Sequence, residues 1–391
     1  MKWIPYSYLF LMLCTLLSCN NQASKASETD DAETQQPSDS KNTSTSNKTF
    51  YKRYEGTIAN QPVTVYLQKE GNLFWGSYYY TKTGKPIEIN GQQGSQKDSL
   101  YLYEYDITQF EQSNEPPQWM IRYEEDSLIG KWSNPNTKKS FSILLNESYP
   151  SGSYQFIMKN FMDSVMAYPG KTSSPQATSD YSLVWMDETT KGASSFNSLI
   201  LQALYIHEQD LATGIKKKDD SFFSSYKEDM KQDTPMDEQE MNSPSWNYSQ
   251  SLHCILRYNA QDIVAIEQSY YSFLGGAHGN YYSTFLNIDM LQNKSLQLSD
   301  VLNIDSASLQ KILETSFRKD YHLPITKPLT GILFDPYLAT TDNFYISEKG
   351  LLFVYNPYEV AAYAVGQINV FVSYTQLNKY LREDFKKRIQ L

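Results

Sequence analysis

The sequence predicts an α+β protein with two folded parts. An N-terminal all-β antiparallel meander or small open barrel precedes an α+β domain with a mostly antiparallel sheet. Three observations predict this. Residues 50–148 are short alternating apolar runs, separated by Gly, Asn, Pro and Lys turns. Helical apolar spacing appears only after residue 190. Strands and helices are then grouped rather than strictly alternating, which argues against a doubly wound sheet. The 32 Tyr among 391 residues fit half-buried strands, where the ring packs and the hydroxyl reaches water.

The elements begin with a leader. Lys2 precedes an apolar run at 8–17 that is too short to span a bilayer. It ends in Leu16-Leu17-Ser18-Cys19, a lipobox-like run, so residues 1–18 are expected to be a lipoprotein signal peptide and Cys19 the acylated residue, carrying palmitate-type chains. Residues 20–49 contain no aromatic, Leu, Ile, Val or Met, and 19–49 is expected to be the lipidated Cys and a disordered tether. The expected location is the cell envelope, lipid-anchored and extracytoplasmic. Asn20 after Cys19 permits an outer-membrane site.

Residues 50–148 form the expected β-meander domain, with strands at 63–67, 73–80, 86–89, 100–105, 119–123, 128–132 and 141–145. Gly76 and Gly130 interrupt apolar runs and mark bends or close backbone approaches. Trp75, Tyr78, Tyr80, Trp119 and Trp132 offer either core packing, the commoner fate, or a sugar-stacking face.

Residues 149–260 and 261–391 are the N-terminal and C-terminal parts of the α+β module. Strands are expected at 154–157 and 181–186, and a helix carries Phe196, Leu199, Ile200, Ala203, Leu204 and Leu211. A further helical stretch covers 221–230, and 231–244 is a loop. Three strands follow at 246–258, 262–273 and 280–289. A helix starts near Ser306, strands lie at 344–355 and 364–371, and a final helix bears Leu377, Tyr380, Leu381 and Phe385. Cys254 sits in the first of the three strands and reads as a buried thiol.

Net charge −10 argues against nucleic acid as a partner, since phosphate binding needs clustered Lys and Arg. With Cys14 in the leader and Cys19 acylated, one thiol remains, and no disulfide or Cys-based metal site can form. His207-Glu208 lacks a second His four residues on. Neither a Gly-x-Ser-x-Gly elbow nor a nucleotide fingerprint occurs. No metal and no cofactor are expected.

Two motifs stand out: GGAHG within YYSFLGGAHGN at 270–280, and NPYE within FVYNPYEVAAYAVG at 353–366. Between them lie FLNID at 285–289 and LQLSDVL at 296–302. This series resembles a family of unknown function found in bacterial envelope proteins. It is similar to the ectodomain of the lysozyme-sensing anti-sigma factor and to the non-catalytic part of a peptidoglycan deacetylase. The resemblance spans about residues 178–387. It implies an extracytoplasmic binding module whose partners are an envelope protein, lysozyme-like, or peptidoglycan, with the membrane held through the lipid. Cytoplasmic signalling does not carry over, because the anti-sigma segment and an internal membrane helix are missing from the sequence. Metal-dependent deacetylation does not carry over either, for want of its paired Asp and His-x-x-x-His.

The motif residues Gly275, Gly276, His278, Gly279, Asp289, Tyr358 and Glu359 are the candidate site. As a structural set, the glycines supply left-handed or close-packed backbone, His278 bonds to main chain, and Glu359 closes the Pro turn. As a catalytic set, His278 would be a general base oriented by Asp289 or Glu359, in a cell-wall hydrolase or glycan-modifying enzyme. The first reading leads, because no nucleophile signature accompanies the single His.

Overall fold

Eight strands run β1 (Phe50–Ile58), β2 (Gln61–Glu70), β3 (Leu73–Tyr80), β4 (Ile87–Gln93), β5 (Ser99–Tyr105), β6 (Gln118–Glu124), β7 (Ser127–Asn134) and β8 (Lys139–Glu147). Each pairs antiparallel with the next, and β1 also pairs with β8. The expected meander is therefore a closed barrel rather than an open one. Closure removes both free edges, which would otherwise present unpaired N–H and C=O groups. The computed structural model describes residues 49–96, 98–107, 115–124, 126–231, 241 and 243–391. The leader, Cys19, nearly all of the tether and most of the expected 231–244 loop lie outside the described residues.

The barrel interior holds Tyr54, Val65, Leu67, Leu102, Trp119 and Leu145. A side chain at Gly76 would run into the carbonyl of Tyr66, and one at Gly130 into that of Met120. Both glycines thus let neighbouring strands approach closely. Tyr78 and Trp119 are core residues, and together with Trp132 they donate to one oxygen of Glu104, at 2.7, 2.6 and 2.6 Å. These three rings surround a buried carboxylate and do not form a sugar-stacking face.

The second part is a six-stranded sheet ordered β14-β13-β12-β11-β10-β9. Its strands are β9 (Ile157–Met166), β10 (Gln176–Trp185), β11 (Tyr248–Ala260), β12 (Ile263–Phe273), β13 (Asn280–Asp289) and β14 (Lys294–Ser295). Every pairing is antiparallel except β10 with β11. That parallel step needs a crossover, and α1 (Ala193–Ala203) and α2 (Leu211–Asp229) lie in it. Asp210 caps α2 through Thr213 N–H, splitting the helical stripe in two. The strand expected at 154–157 begins only at Ile157.

A three-stranded sheet, β15 (Phe344–Ser347), β16 (Gly350–Tyr355) and β17 (Ile368–Ser373), packs on the large one. Asn287 of β13 joins them, donating to Phe344 O at 2.9 Å and accepting from Ile346 N at 2.8 Å. The remaining helices are α3 (Leu298–Val301), α4 (Ser306–Asp320), α5 (Tyr374–Leu377) and α6 (Glu383–Arg388). The single final helix expected from spacing is two short ones. Between them the chain bonds to the α3–α4 connection, with Asn303 N on Tyr380 O and Arg382 N on Val301 O.

The barrel docks on this body through its outer face. Tyr51, Tyr66 and Tyr79 belong to the same core as β11, β15 and β16. Gln68 of β2 caps the edge of β11 beyond its last pairing with β10 at His253. Its amide donates to Cys254 O at 2.9 Å and accepts from Leu256 N at 2.7 Å, satisfying two main-chain groups that β10 leaves open. Among the described residues no helix is long and apolar enough to cross a membrane.

Candidate functional site

The two motifs meet. Residues 275–279 connect β12 to β13, and residues 356–359 follow β16. Asn356 ties the second to the first by bonding to both main-chain groups of Ser283, accepting from N at 2.7 Å and donating to O at 3.1 Å. It supplies the pairing that another strand would otherwise make. Tyr363 then reaches the loop, its hydroxyl donating to Gly279 O at 2.6 Å. Its ring stacks on His278 with centroids 4.2 Å apart, and Tyr281 and Tyr358 pack around it at 5.8 and 5.5 Å.

Gly275 and Gly276 have φ of +83° and +96°, which L side chains rarely adopt. At Gly279 a side chain would collide with the Tyr271 ring. His278 is exposed, and its Nδ1 lies 2.9 Å from Gly279 O. Both oxygens of Glu359 are taken by Asn356: Oε2 accepts from its N–H at 3.0 Å and Oε1 from its amide at 3.1 Å. Tyr358 occupies left-handed backbone at φ +72° and holds its ring 57% exposed.

Asp289 does not join this group. It ends β13, about 30 Å along the strand from the loop at the usual rise per residue. There its buried carboxylate accepts from Leu291 N and Gln292 N, both at 2.9 Å, and pairs with Arg388 at 3.0 Å. The structure therefore brings His278 and Tyr358 together on Tyr363 and anchors Glu359 to Asn356 nearby. Asp289 closes a turn elsewhere. Asn356 and Tyr363 are the organising residues that the sequence reading left out of the site, although an Asn before a Pro turn was a readable signal.

A second polar group lies between barrel and sheet. His253 Nε2 is 3.5 Å from Asp180 Oδ2, the Trp75 ring lies 5.9 Å from the imidazole, and Asn160 donates to Glu70 Oε1 at 2.7 Å. Burial raises the Glu70 pKa, the Asp180 charge adds to it, and His253 opposes it. His253 Nε2, Asp180 Oδ1, Glu70 Oε2 and Trp75 Nε1 are closed to solvent. This is a half-buried seam, with the His253 and Asp180 side chains each 20% exposed and Asn160 at the surface. Among the described residues no three His, Cys, Asp or Glu side chains gather as a metal site.

Comparison with known families adds two segments. The sequence model described as Deacetylase PdaC matches residues 184–281, which include GGAHG. The one described as protein of unknown function (DUF3298) matches residues 297–375, which include NPYE. The contact of His278 with Tyr363 thus joins the two segments. A crystal structure of a DUF3298 family member from Bacteroides fragilis is similar in fold, at 22% identity and TM-score 0.51, over 59% of this chain and 95% of that one. A DUF3298 family protein from Pseudomonas aeruginosa aligns at 17% identity and TM-score 0.41, over 60% and 97%. No curated protein matches the chain. The matched segments suggest an envelope-type protein of unknown function, with one segment similar to the PdaC model and one similar to the DUF3298 model behind a β-barrel.

Proposed function

We propose that the chain is a lipid-anchored bacterial envelope protein whose barrel and α+β body form a non-catalytic, extracytoplasmic binding module. One observation carries the non-catalytic reading. His278, Asp289 and Glu359 do not converge, and both carboxylates are spent on the backbone, amide and guanidinium groups beside them. Among the described residues neither carboxylate orients His278, whose ring stacks on Tyr363 and whose Nδ1 lies 2.9 Å from Gly279 O. The alternative, a hydrolase or glycan-modifying enzyme using His278 with Glu359 or Asp289, lacks that geometry.

The lipobox ending in Cys19 and the polar stretch after it support anchoring. The resemblance to wall-associated envelope proteins supports peptidoglycan as ligand. Net charge −10 supports a cationic, lysozyme-like protein as a second ligand class.

Cys19→Ala tests the anchor. Acylation at Cys19 puts the wild type in the membrane fraction and labels it with a palmitate analogue, because two or more chains hold where one does not. The variant is expected to be unlabelled and released. A variant that stays membrane-bound like wild type contradicts the proposal.

A further inference from the structure

Helix α1 ends in a turn whose last residue is out of place. Tyr205 N–H bonds to Gln202 O at 3.0 Å and Ile206 N–H to Leu201 O at 2.9 Å, the double closure that normally puts Gly in the left-handed position. Here Tyr205 holds that position at φ +53°, with 81% of its surface exposed. A bulky residue kept in strained backbone with its ring in solvent invites a functional account.

The ring has neighbours of its own kind. Tyr181, Leu252, Tyr270 and Tyr282 are directly opposite one another across β10–β13, so they share one sheet face. Tyr270 and Tyr282 stack with centroids 4.6 Å apart and planes 12° apart, and Tyr282 remains 47% exposed. Burial raises the pKa of both hydroxyls, and Tyr205 adds to the rise at each. Two residues from Tyr270 on the same face, Gln268 is 5% exposed and its Nε2 has no hydrogen-bond partner. Tyr205 also lines a depression of about 730 Å³ together with Ser194, Ser198, Gln202, His207 and Gln209.

These features select a ligand chemistry. Exposed phenol rings offer flat apolar faces with polar rims. Hydroxyl and amide side chains offer both donors and acceptors. Among the described residues no Lys or Arg lines the depression, and Glu208, its one carboxylate among them, is paired with Lys217. An anionic ligand finds no counter-charge there, whereas a neutral ring with hydroxyls at its edge fits.

We propose that Tyr205, Tyr282 and the depression beside the end of α1 bind a neutral pyranose oligosaccharide. The sugar rings lie on the tyrosines, and the Ser and Gln side chains take the hydroxyl and acetamido groups. This site rests on the binding-module reading and gives it a ligand class and a place away from both motifs.

Calorimetric titration of the full chain with tetra-N-acetylchitotetraose, cellotetraose and adenosine tests it. The wild type is expected to bind at least one of the two oligosaccharides saturably. Tyr282→Val keeps a strand-forming side chain, and Tyr205→Asn keeps a residue that tolerates left-handed backbone. Each is expected to weaken binding at least about ten-fold while melting normally. Tyr337→Ala, an exposed tyrosine outside the row, should leave it unchanged. No saturable sugar binding, binding of adenosine alone, or sugar affinity untouched in both variants would overturn the site while leaving the non-catalytic reading in place. Cleavage or deacetylation of the probe during titration would overturn that reading itself.

Discussion

Arg257 of β11 and Glu88 of β4 meet at 2.7 Å across the junction of sheet and barrel. Arg257 stands at the β-bulge of β11, where the register with β12 shifts between Leu256 and Tyr258. A bulge re-aims a side chain, and this one places a buried guanidinium between Glu88 and Glu267. Removing Arg257 would leave Glu267 buried without its counter-charge. Arg257→Ala is expected to cost about 3–5 kcal/mol in urea unfolding, and Glu88→Gln less, because Glu88 keeps some solvent. Equal small losses in both variants would show that the pair does not couple barrel to sheet.

Glu104 sets a pH dependence. Burial raises its carboxyl pKa, against the three donors from Trp119, Tyr78 and Trp132 that lower it. An acid whose folded pKa lies above its unfolded one stabilises the fold in its neutral form. That contribution is complete below the unfolded value and is lost as pH rises through the folded one. Wild-type melting temperature should therefore carry a component that falls as pH rises from about 4.5. Glu104→Gln should remove that component. A Glu104→Gln profile parallel to wild type would contradict it. Glu104→Leu should destabilise at every pH, by about 1–3 kcal/mol for each donor left unmet.

In the motif cluster, the order of damage separates scaffold from surface. Asn356→Ala removes both bonds to Ser283 and should cost about 2 kcal/mol. Gly276→Val meets open space but must hold φ +96°, for about 1–2 kcal/mol. His278→Ala should cost under about 1 kcal/mol, since the ring is exposed. Scanning calorimetry reads the order, and His278→Ala as the most damaging of the three would contradict it.

Cys254 is buried, and burial pushes its thiol up to about 12. The thiolate is the reactive form, so native protein should label with a thiol reagent only as fast as it opens. Labelling should become rapid in denaturant. Prompt stoichiometric labelling without denaturant would contradict the packing of β11.

Much of the fold was legible because turn residues punctuate it. Glu70-Gly71-Asn72 and Asn134-Pro135-Asn136-Thr137 bound their strands in plain view. Strand β1 carries no such mark, because its hairpin turns at Ala59 and Asn60, both at positive φ with no Gly to announce them. The final helix read as one because Leu377, Leu381 and Phe385 keep helical spacing, and only the contacts of Tyr380 and Arg382 with the α3–α4 connection break it. At the site, the meeting of GGAHG and NPYE depends on Asn356 reaching Ser283, 73 residues away. The seam of Glu70, Asp180 and His253 joins three strands distant in sequence, and no local pattern marks it. Tyr205 was hidden for the opposite reason, since a Gly is what a reader expects where that helix ends.

The central claim is that this module holds a ligand without changing it. Mass spectrometry of muropeptides after prolonged incubation of purified protein with peptidoglycan tests this most directly. The account predicts an unchanged profile for wild type and for His278→Ala alike. New cleavage or deacetylation products that appear with wild type and vanish with His278→Ala would contradict it.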